Sequence, residues 1–194
     1  FRPVLSSPRG VVLSYGITPH YGPLDPYHMA AAGIDTAVRG AVAAGAPLSH
    51  LALLDNFCWS SSYESSRLWE LREAAKACFD YAVAYGTPFI SGKDSMFNDF
   101  NGFDENGAAI KISALPTLLI SAISVMEDVH CAVSMDFKRA GDLVYIVGST
   151  HNELGGSEYF RTHGFIGNSV PKVNPQRAKE LMDKLSAATK QGLV

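Results

Sequence analysis

The chain has 194 residues, 47% of them hydrophobic and 18% charged, a balance that excludes a disordered segment and is long enough to bury a substantial core. Its formal net charge is −3, its pI is about 6.1 and it carries no basic stripe, so it lacks the electrostatic footprint of a nucleic-acid binder. An anionic ligand stays compatible, because backbone N–H groups can hold phosphate without a basic surface.

The first element in the chain is a strand at residues 10–15, read as buried. Residues 16–26 hold three prolines and two glycines and form a loop. A helix spans residues 27–44, with Ala30, Ile34, Ala37, Ala41 and Ala44 on one face; so small a face implies a close neighbour. After Gly45–Pro47, residues 50–54 form a short apolar strand with Asp55 and Asn56 at its carboxyl end. A Ser-rich loop at 59–66 leads into a helix over 66–85, its stripe set by Leu68, Leu71, Ala75, Cys78 and Ala82. Gly86-Thr87-Pro88 closes that helix, and Phe89-Ile90 is a short strand running into the loop Ser91–Ser95.

Residues 98–107 are rich in Asn, Asp and Gly and read as a hairpin tip, followed by a strong apolar strand at Thr117–Met126. A mixed connector at 127–141 suggests a boundary, with one unit over 1–130 and a second beginning within 131–194. The second unit is expected to open with a strand at Leu143–Val147 and a turn, Leu154-Gly155-Gly156-Ser157, before a short helix. Its last helix starts at the Asn174 cap with Pro175 in the first position, places Ala178, Leu181, Leu185 and Ala188 on one face, and pairs Glu180 with Lys184 outside. The last residues, Gly192-Leu193-Val194, read as the approach to another strand, so the second unit is expected to be incomplete. Alternating strands and helices make the class α/β or mixed α+β.

Three cysteines, Cys58, Cys78 and Cys131, show no metal-ligand spacing and suit reduced thiols in a cytoplasmic protein. No apolar run approaches the roughly 20 residues of a membrane span, and no signal peptide is visible. The six histidines are scattered and share no ligand spacing.

The segment richest in chemistry is Ser91-Gly92-Lys93-Asp94-Ser95. Gly92 would admit a phosphate close to the backbone, Lys93 would offset its charge, Asp94 offers a hard oxygen to Mg²⁺, and Ser95 can donate to a phosphate oxygen. It is not a Walker A loop, since Thr87 stands where that motif needs glycine. Taken alone, the segment fits a plain surface turn equally well. Asp55 either meets a ligand at the strand end or caps the following loop. Gly155-Gly156 either cradles an anion or makes a tight turn.

Several segments in order carry a stronger signal than any one loop. They are Tyr-Gly-Ile-Thr-Pro-His-Tyr-Gly (15–22), Leu-Asp-Pro-Tyr-His-Met-Ala (24–30), Ala-Leu-Leu-Asp-Asn-Phe-Cys-Trp (52–59), Gly-Thr-Pro-Phe-Ile-Ser-Gly-Lys-Asp-Ser-Met (86–96), Pro-Thr-Leu-Leu-Ile-Ser-Ala (116–122), Met-Glu-Asp-Val (126–129) and Glu-Leu-Gly-Gly-Ser (153–157). Together they resemble the second synthase repeat of the phosphoribosylformylglycinamidine synthase family, within the aminoimidazole-ribonucleotide-synthase-like superfamily.

The resemblance implies an N-terminal α/β half whose sheet pairs with another repeat into a barrel, followed by the start of a C-terminal half. It implies ATP and Mg²⁺ as cofactors, formylglycinamide ribonucleotide as substrate, and partners in a glutaminase domain or subunit and the other synthase repeat. A homodimer of this chain could stand in for that repeat. The reaction it implies phosphorylates the amide oxygen of the ribonucleotide with ATP, after which ammonia displaces phosphate to give the amidine. By position, Asp55 and Gly92 would contact ATP and Ser95 the ribonucleotide. Lys93 would line the phosphate loop where small bacterial members have a metal-binding asparagine, and Asp94 would bind Mg²⁺ as in large members. Thr36 and Gly40 stand where large members carry a glutamate and an asparagine that ligate metal. That departure leaves open a non-catalytic, nucleotide-holding scaffold repeat, and another ATP-using enzyme of the superfamily is a further alternative.

Overall fold

The computed structural model describes all residues, Phe1–Val194. Six strands and four α-helices follow one another as β1 (Gly10–Ile17), α1 (Pro26–Ala43), β2 (Leu51–Cys58), α2 (Ser65–Tyr85), β3 (Phe89–Ser95), β4 (Asp99–Phe103), β5 (Ala109–Ser113), β6 (Thr117–Met126), α3 (Glu158–Thr162) and α4 (Pro175–Lys190). The main sheet has the order β1-β6-β2-β3, and β4 and β5 form a separate hairpin. β6 is antiparallel to both β1 and β2, while β2 and β3 are parallel and joined through α2, a β-α-β unit. The expected α/β class is the one observed.

α1 begins at Pro26, one residue before the expected start, behind a cap that the sequence reading did not single out. The Asp25 carboxylate accepts from the N–H of His28 at 3.0 Å, and Pro26 fills a position that needs no donor. The helix is buried over most of its circumference, because the sheet lies on one side and α2 and α4 on the other. Its close neighbour is β1. A Cβ on Gly16 would run into the carbonyl of Gly33, and one on Gly40 into the Ser14 hydroxyl. Between α1 and α2, the buried Asp35 carboxylate accepts from the Tyr85 hydroxyl at 2.7 Å and pairs with Arg39 one turn on. α2 ends at Gly86, whose φ of +73° is the left-handed cap that glycine adopts without strain.

Several sequence expectations are corrected. β1 is not buried on both faces: Leu13 and Tyr15 project from the side of the sheet that carries no helix. β6 is nearly all apolar, yet its burial alternates residue by residue, because only one face of the sheet is covered. α2 turns Ala74, Ala77, Cys78, Tyr81 and Tyr85 inward, whereas Leu68 and Ala75 of the expected stripe face outward. The strand expected at 143–147 does not form; these residues pair with no strand and are largely exposed. Glu180 and Lys184 are exposed and make no ion pair. The hairpin tip is shorter than read: the turn occupies 104–108, tied by the Asp104 carboxylate to the N–H groups of Asn106 and Ala108.

α4 packs on α1 and α2, placing Ala178 and Met182 in the same hydrophobic core as Ile34, Leu53 and Ile120. The N-cap of α4 is the expected one, with the Asn174 amide oxygen accepting from Arg177 N at 2.9 Å. No helix is long and apolar enough to cross a membrane. The cysteines are unpaired, and burial pushes the Cys78 thiol up to about 12, which leaves it inert.

Candidate functional site

β2 and β3 bring the sequence-predicted site residues together. Their parallel register sets Asp55 opposite Gly92, Asn56 opposite Lys93, Phe57 opposite Asp94 and Cys58 opposite Ser95. An irregularity just before this stretch, where the pairing passes over Ile90, creates that register. The expected loop is therefore a correction: Ser91–Ser95 is extended and laddered, and Asp55-Asn56 lies inside β2 rather than at its end. β3 is an edge strand, so alternate N–H groups along it still face outward.

The side chains divide between two faces, as strand alternation requires. On the face shared with the helices, the Asp55 carboxylate lies directly over the Cα of Gly92 and accepts from Lys93 N at 3.3 Å. A Cβ at Gly92 would enter that carboxylate, so the space the glycine leaves is filled by Asp55 rather than left as a cradle. Asp94 lies close enough for its charge to act on Asp55. Burial pushes the Asp55 carboxyl up, the Lys93 N–H pulls it down, and Asp94 adds to the rise. On the opposite, open face, the Lys93 ammonium donates to the Ser95 hydroxyl.

The raised Asp55 pKa has a definite sign. Its ionised form is penalised in the folded chain, and the penalty is absent once both folded and unfolded states are protonated. Asp55→Asn keeps the acceptor for Lys93 and removes the charge. It is expected to raise the denaturant midpoint at neutral pH, and the gain should shrink as pH falls through the Asp55 titration. Equal midpoints for the two proteins across that range would contradict this account.

Metal ligands are few. No group of three or more His, Cys, Asp or Glu side chains is gathered anywhere in the chain. The Asp55 and Asp94 carboxylates are the hard oxygens on offer, which suits Mg²⁺, an ion commonly held by one or two carboxylates together with substrate phosphates. Thr36 and Gly40 lie exposed on α1, and Gly40 is held against Ser14, so the position has no room for a larger side chain without a shift.

The Gly-rich turn resolves toward its plainer reading. The N–H of Gly155 donates to Ser169 O at 2.7 Å and that of Gly156 to Ile166 O at 2.8 Å, so neither is free for an anion. Ser157 caps α3 through Phe160 N. His20 faces Arg161 and Glu158, and His28 faces Asp25, consistent with local structural roles.

Sequence reading missed what fastens the site. The Asn98 side-chain amide donates to Trp59 O at 2.9 Å and to Ser95 O at 2.8 Å, tying together the ends of β2 and β3. Trp59, fully buried just beyond β2, donates its indole N–H to Arg67 O. Asn98 reads in sequence only as one of several turn-forming residues, since its role depends on two strand ends meeting.

Residues 5–115 match the family model described as AIR synthase related protein, N-terminal domain. The chain belongs to that family. Its relatives include the phosphoribosylformylglycinamidine synthase subunit PurL of Thermococcus sibiricus, 32% identical over 176 residues that make up 91% of this chain and 23% of the relative. The same subunit from Deinococcus radiodurans is 29% identical across 98% of this chain and 25% of its own length. The chain thus spans about a quarter of these relatives. Among solved structures, Thermotoga maritima PurL complexed with FGAR superposes with a TM-score of 0.69 at 19% identity, covering 96% of this chain and 28% of that one. The ATP complex of the same protein gives a TM-score of 0.61 at 15% identity over 97% of this chain and 26% of that one. At these identities the superpositions establish a shared fold.

Proposed function

We propose that this chain is part of a phosphoribosylformylglycinamidine synthase, contributing one synthase repeat to the ATP-dependent conversion of formylglycinamide ribonucleotide and ammonia to the amidine, ADP and phosphate. The observation that carries the reading is the interlock of Asp55 with Gly92 on adjacent parallel strands, with Asp94 alongside and Lys93 and Ser95 on the reverse face. Phosphoryl transfer needs positioned donors and charge neutralisation more than it needs a base, and this set supplies both. Asp55 and Gly92 would line the ATP site on one face of the sheet, Lys93 would reach round the free edge of β3 toward the phosphates, and Ser95 would hold the ribonucleotide. Asp94, with Asp55, would hold Mg²⁺, whose bound charge would neutralise the transferring phosphoryl group.

The γ-phosphoryl group moves to the amide oxygen, which makes that oxygen a leaving group. Ammonia then adds at the same carbon and phosphate departs. Glutamine hydrolysis in a partner domain or subunit would supply the ammonia. The open sheet face, with Leu13, Tyr15 and Ile17 exposed, would be covered by the other synthase repeat or by a second copy of this chain. Residues 131–194 would begin the C-terminal half, which accords with the missing partners of Leu143–Val147. The proposed location is the cytoplasm.

A second reading is favoured by Thr36 and Gly40: a repeat that holds nucleotide without turning it over. ADP formation by the intact synthase carrying this chain, assayed with the ribonucleotide, MgATP and ammonia, separates the two. Asp94→Ala is expected to lower turnover at least a hundredfold if Asp94 holds the reacting metal, by analogy with the loss of a single charge-stabilising donor. Full turnover in the mutant would assign a scaffold role, and indifference to the ribonucleotide in the unmutated enzyme would remove the synthase assignment.

A further inference from the structure

Cys58 and Ser95 are the last pair that joins β2 to β3, and beyond them the ladder stops. β3 is the edge of the sheet, so Ser95 has no strand on its other side. Strand ends held on one side only are among the first parts of a fold to open. The Asp55–Gly92 pair lies three positions further in, with laddered pairs on either side of it. Past Ser95 the chain turns at Phe97, whose φ is +60°, and enters the β4–β5 hairpin.

One side chain closes this open end. The Asn98 amide nitrogen gives one N–H to Trp59 O at 2.9 Å and the other to Ser95 O at 2.8 Å. Ser95 O also accepts from Trp59 N at 2.7 Å. Asn98 is itself anchored through its backbone: its N–H donates to Trp59 O at 3.0 Å, and its carbonyl accepts from Ala114 N at 2.9 Å at the base of the hairpin. The Ser95 carbonyl therefore has two donors, and its peptide plane cannot swing without losing both. With that plane fixed, the direction in which the Ser95 hydroxyl leaves the strand is fixed as well.

We propose that Asn98 is a positioning residue for the ribonucleotide: by clamping the Ser95 carbonyl to the end of β2, it holds the Ser95 hydroxyl where that substrate meets it. This inference rests on the placing of Ser95 in the preceding section. Asn98 acts through Ser95 and needs no contact of its own with the ligand. The residue type suits the task, because a side-chain amide presents two N–H donors on one uncharged nitrogen, and two carbonyl oxygens are what it meets. Aspartate has the same shape and, when ionised, no donor at all.

The test uses the intact synthase with Asn98→Asp and Asn98→Ala. The first keeps the shape and sets carboxylate oxygens against two carbonyls. The second removes the clamp without that repulsion, and so still reports if the first fails to fold. Moving a positioned group by on the order of 1 Å can cost about a hundredfold. KM for the ribonucleotide is expected to rise about tenfold or more in both variants, within that range. KM for ATP should stay unchanged, because Gly92 remains inside the ladder. Relative to the unmutated enzyme, the Asn98→Asp defect should shrink as pH falls, since a protonated carboxyl regains one donor. Hydrogen exchange reads the clamp without any ligand. The Trp59 amide, which donates to Ser95 O, should exchange faster in both variants, while the Leu53 amide, which donates to Pro88 O at the other end of the strand pair, should not. A rise in both KM values together would make Asn98 a structural residue only and overturn the proposal, as would unchanged exchange at Trp59. If the unmutated enzyme turns over ATP without regard to the ribonucleotide, the synthase reading falls and takes this inference with it. If turnover depends on the ribonucleotide and both variants keep its KM, this inference alone falls.

Discussion

Gly16→Ala is expected to destabilise the chain by about 3 kcal/mol or more, whereas Gly33→Ala, on the other side of the same contact, should be neutral or slightly stabilising. The two glycines face one another where α1 lies on β1, yet they are not equivalent. A Cβ on Gly16 would collide with the carbonyl oxygen of Gly33 and stand 2.9 Å from Ala37 N. Both obstacles are backbone, so no rotamer change relieves them and the helix must lift from the sheet. A Cβ on Gly33 meets nothing closer than 3.6 Å, which is ordinary contact. Alanine there also gains about 1 kcal/mol of helix propensity over glycine. Lifting α1 would loosen a layer in which Ala30, Ile34, Ala37 and Ile120 have no solvent exposure. Urea denaturation of the two variants would decide the matter; a Gly16→Ala midpoint equal to that of the unmutated chain would show that the helix has slack.

The second large effect is expected at the clamp between α1 and α2. Asp35→Ala should cost about 3 kcal/mol, Tyr85→Phe about 1.5–3 kcal/mol, and Asp35→Asn less than either. Asp35 is 4% exposed and Tyr85 2%, so a partner left behind has no water to turn to. Removing the carboxylate strands the Tyr85 hydroxyl and opens a small void; removing the hydroxyl leaves the carboxylate with Arg39 alone. Asparagine keeps an acceptor for the hydroxyl. The Tyr85 hydroxyl is held protonated, its pKa raised by burial and then by the Asp35 charge, so it acts as a donor at every accessible pH. A double-mutant cycle on the pair should return a coupling well above the few tenths of a kcal/mol typical of distant sites. Additive losses would mean that the bond contributes nothing beyond local packing.

These features differ in how far the sequence discloses them. The start of α4 is legible because capping chemistry is local: Asn174 and Pro175 announce it, and both hold those positions in the structure. The inward face of α2 is not legible, because the helix carries two apolar stripes. Leu68, Phe79 and Val83 stay exposed while Ala74, Tyr81 and Tyr85 are covered, and helical spacing alone cannot choose between them. At the site, the residue types and their order could be read, but not that Asp55 would rest on Gly92. That contact depends on a register set by an irregularity in β3, and register is a property of two strands together. The strand expected at 143–147 has the right composition and lacks a neighbour, which strand propensity does not supply.

The place of β6 in the sheet has a consequence for how the chain comes together in time. β1 pairs with no strand except β6, which sets Gly10 beside Met126, and β6 is also what joins β1 to β2. A nascent chain emerging from the ribosome therefore holds β1 unsatisfied, with Leu13, Tyr15 and Ile17 available to any passing edge, until more than a hundred later residues have been made. By contrast, α2 brings β2 and β3 together over a much shorter loop, so that unit can form first at lower entropic cost. The order of assembly thus runs from β2 and β3 outward, and β1, made before either of them, is among the last strands of the sheet to find its place.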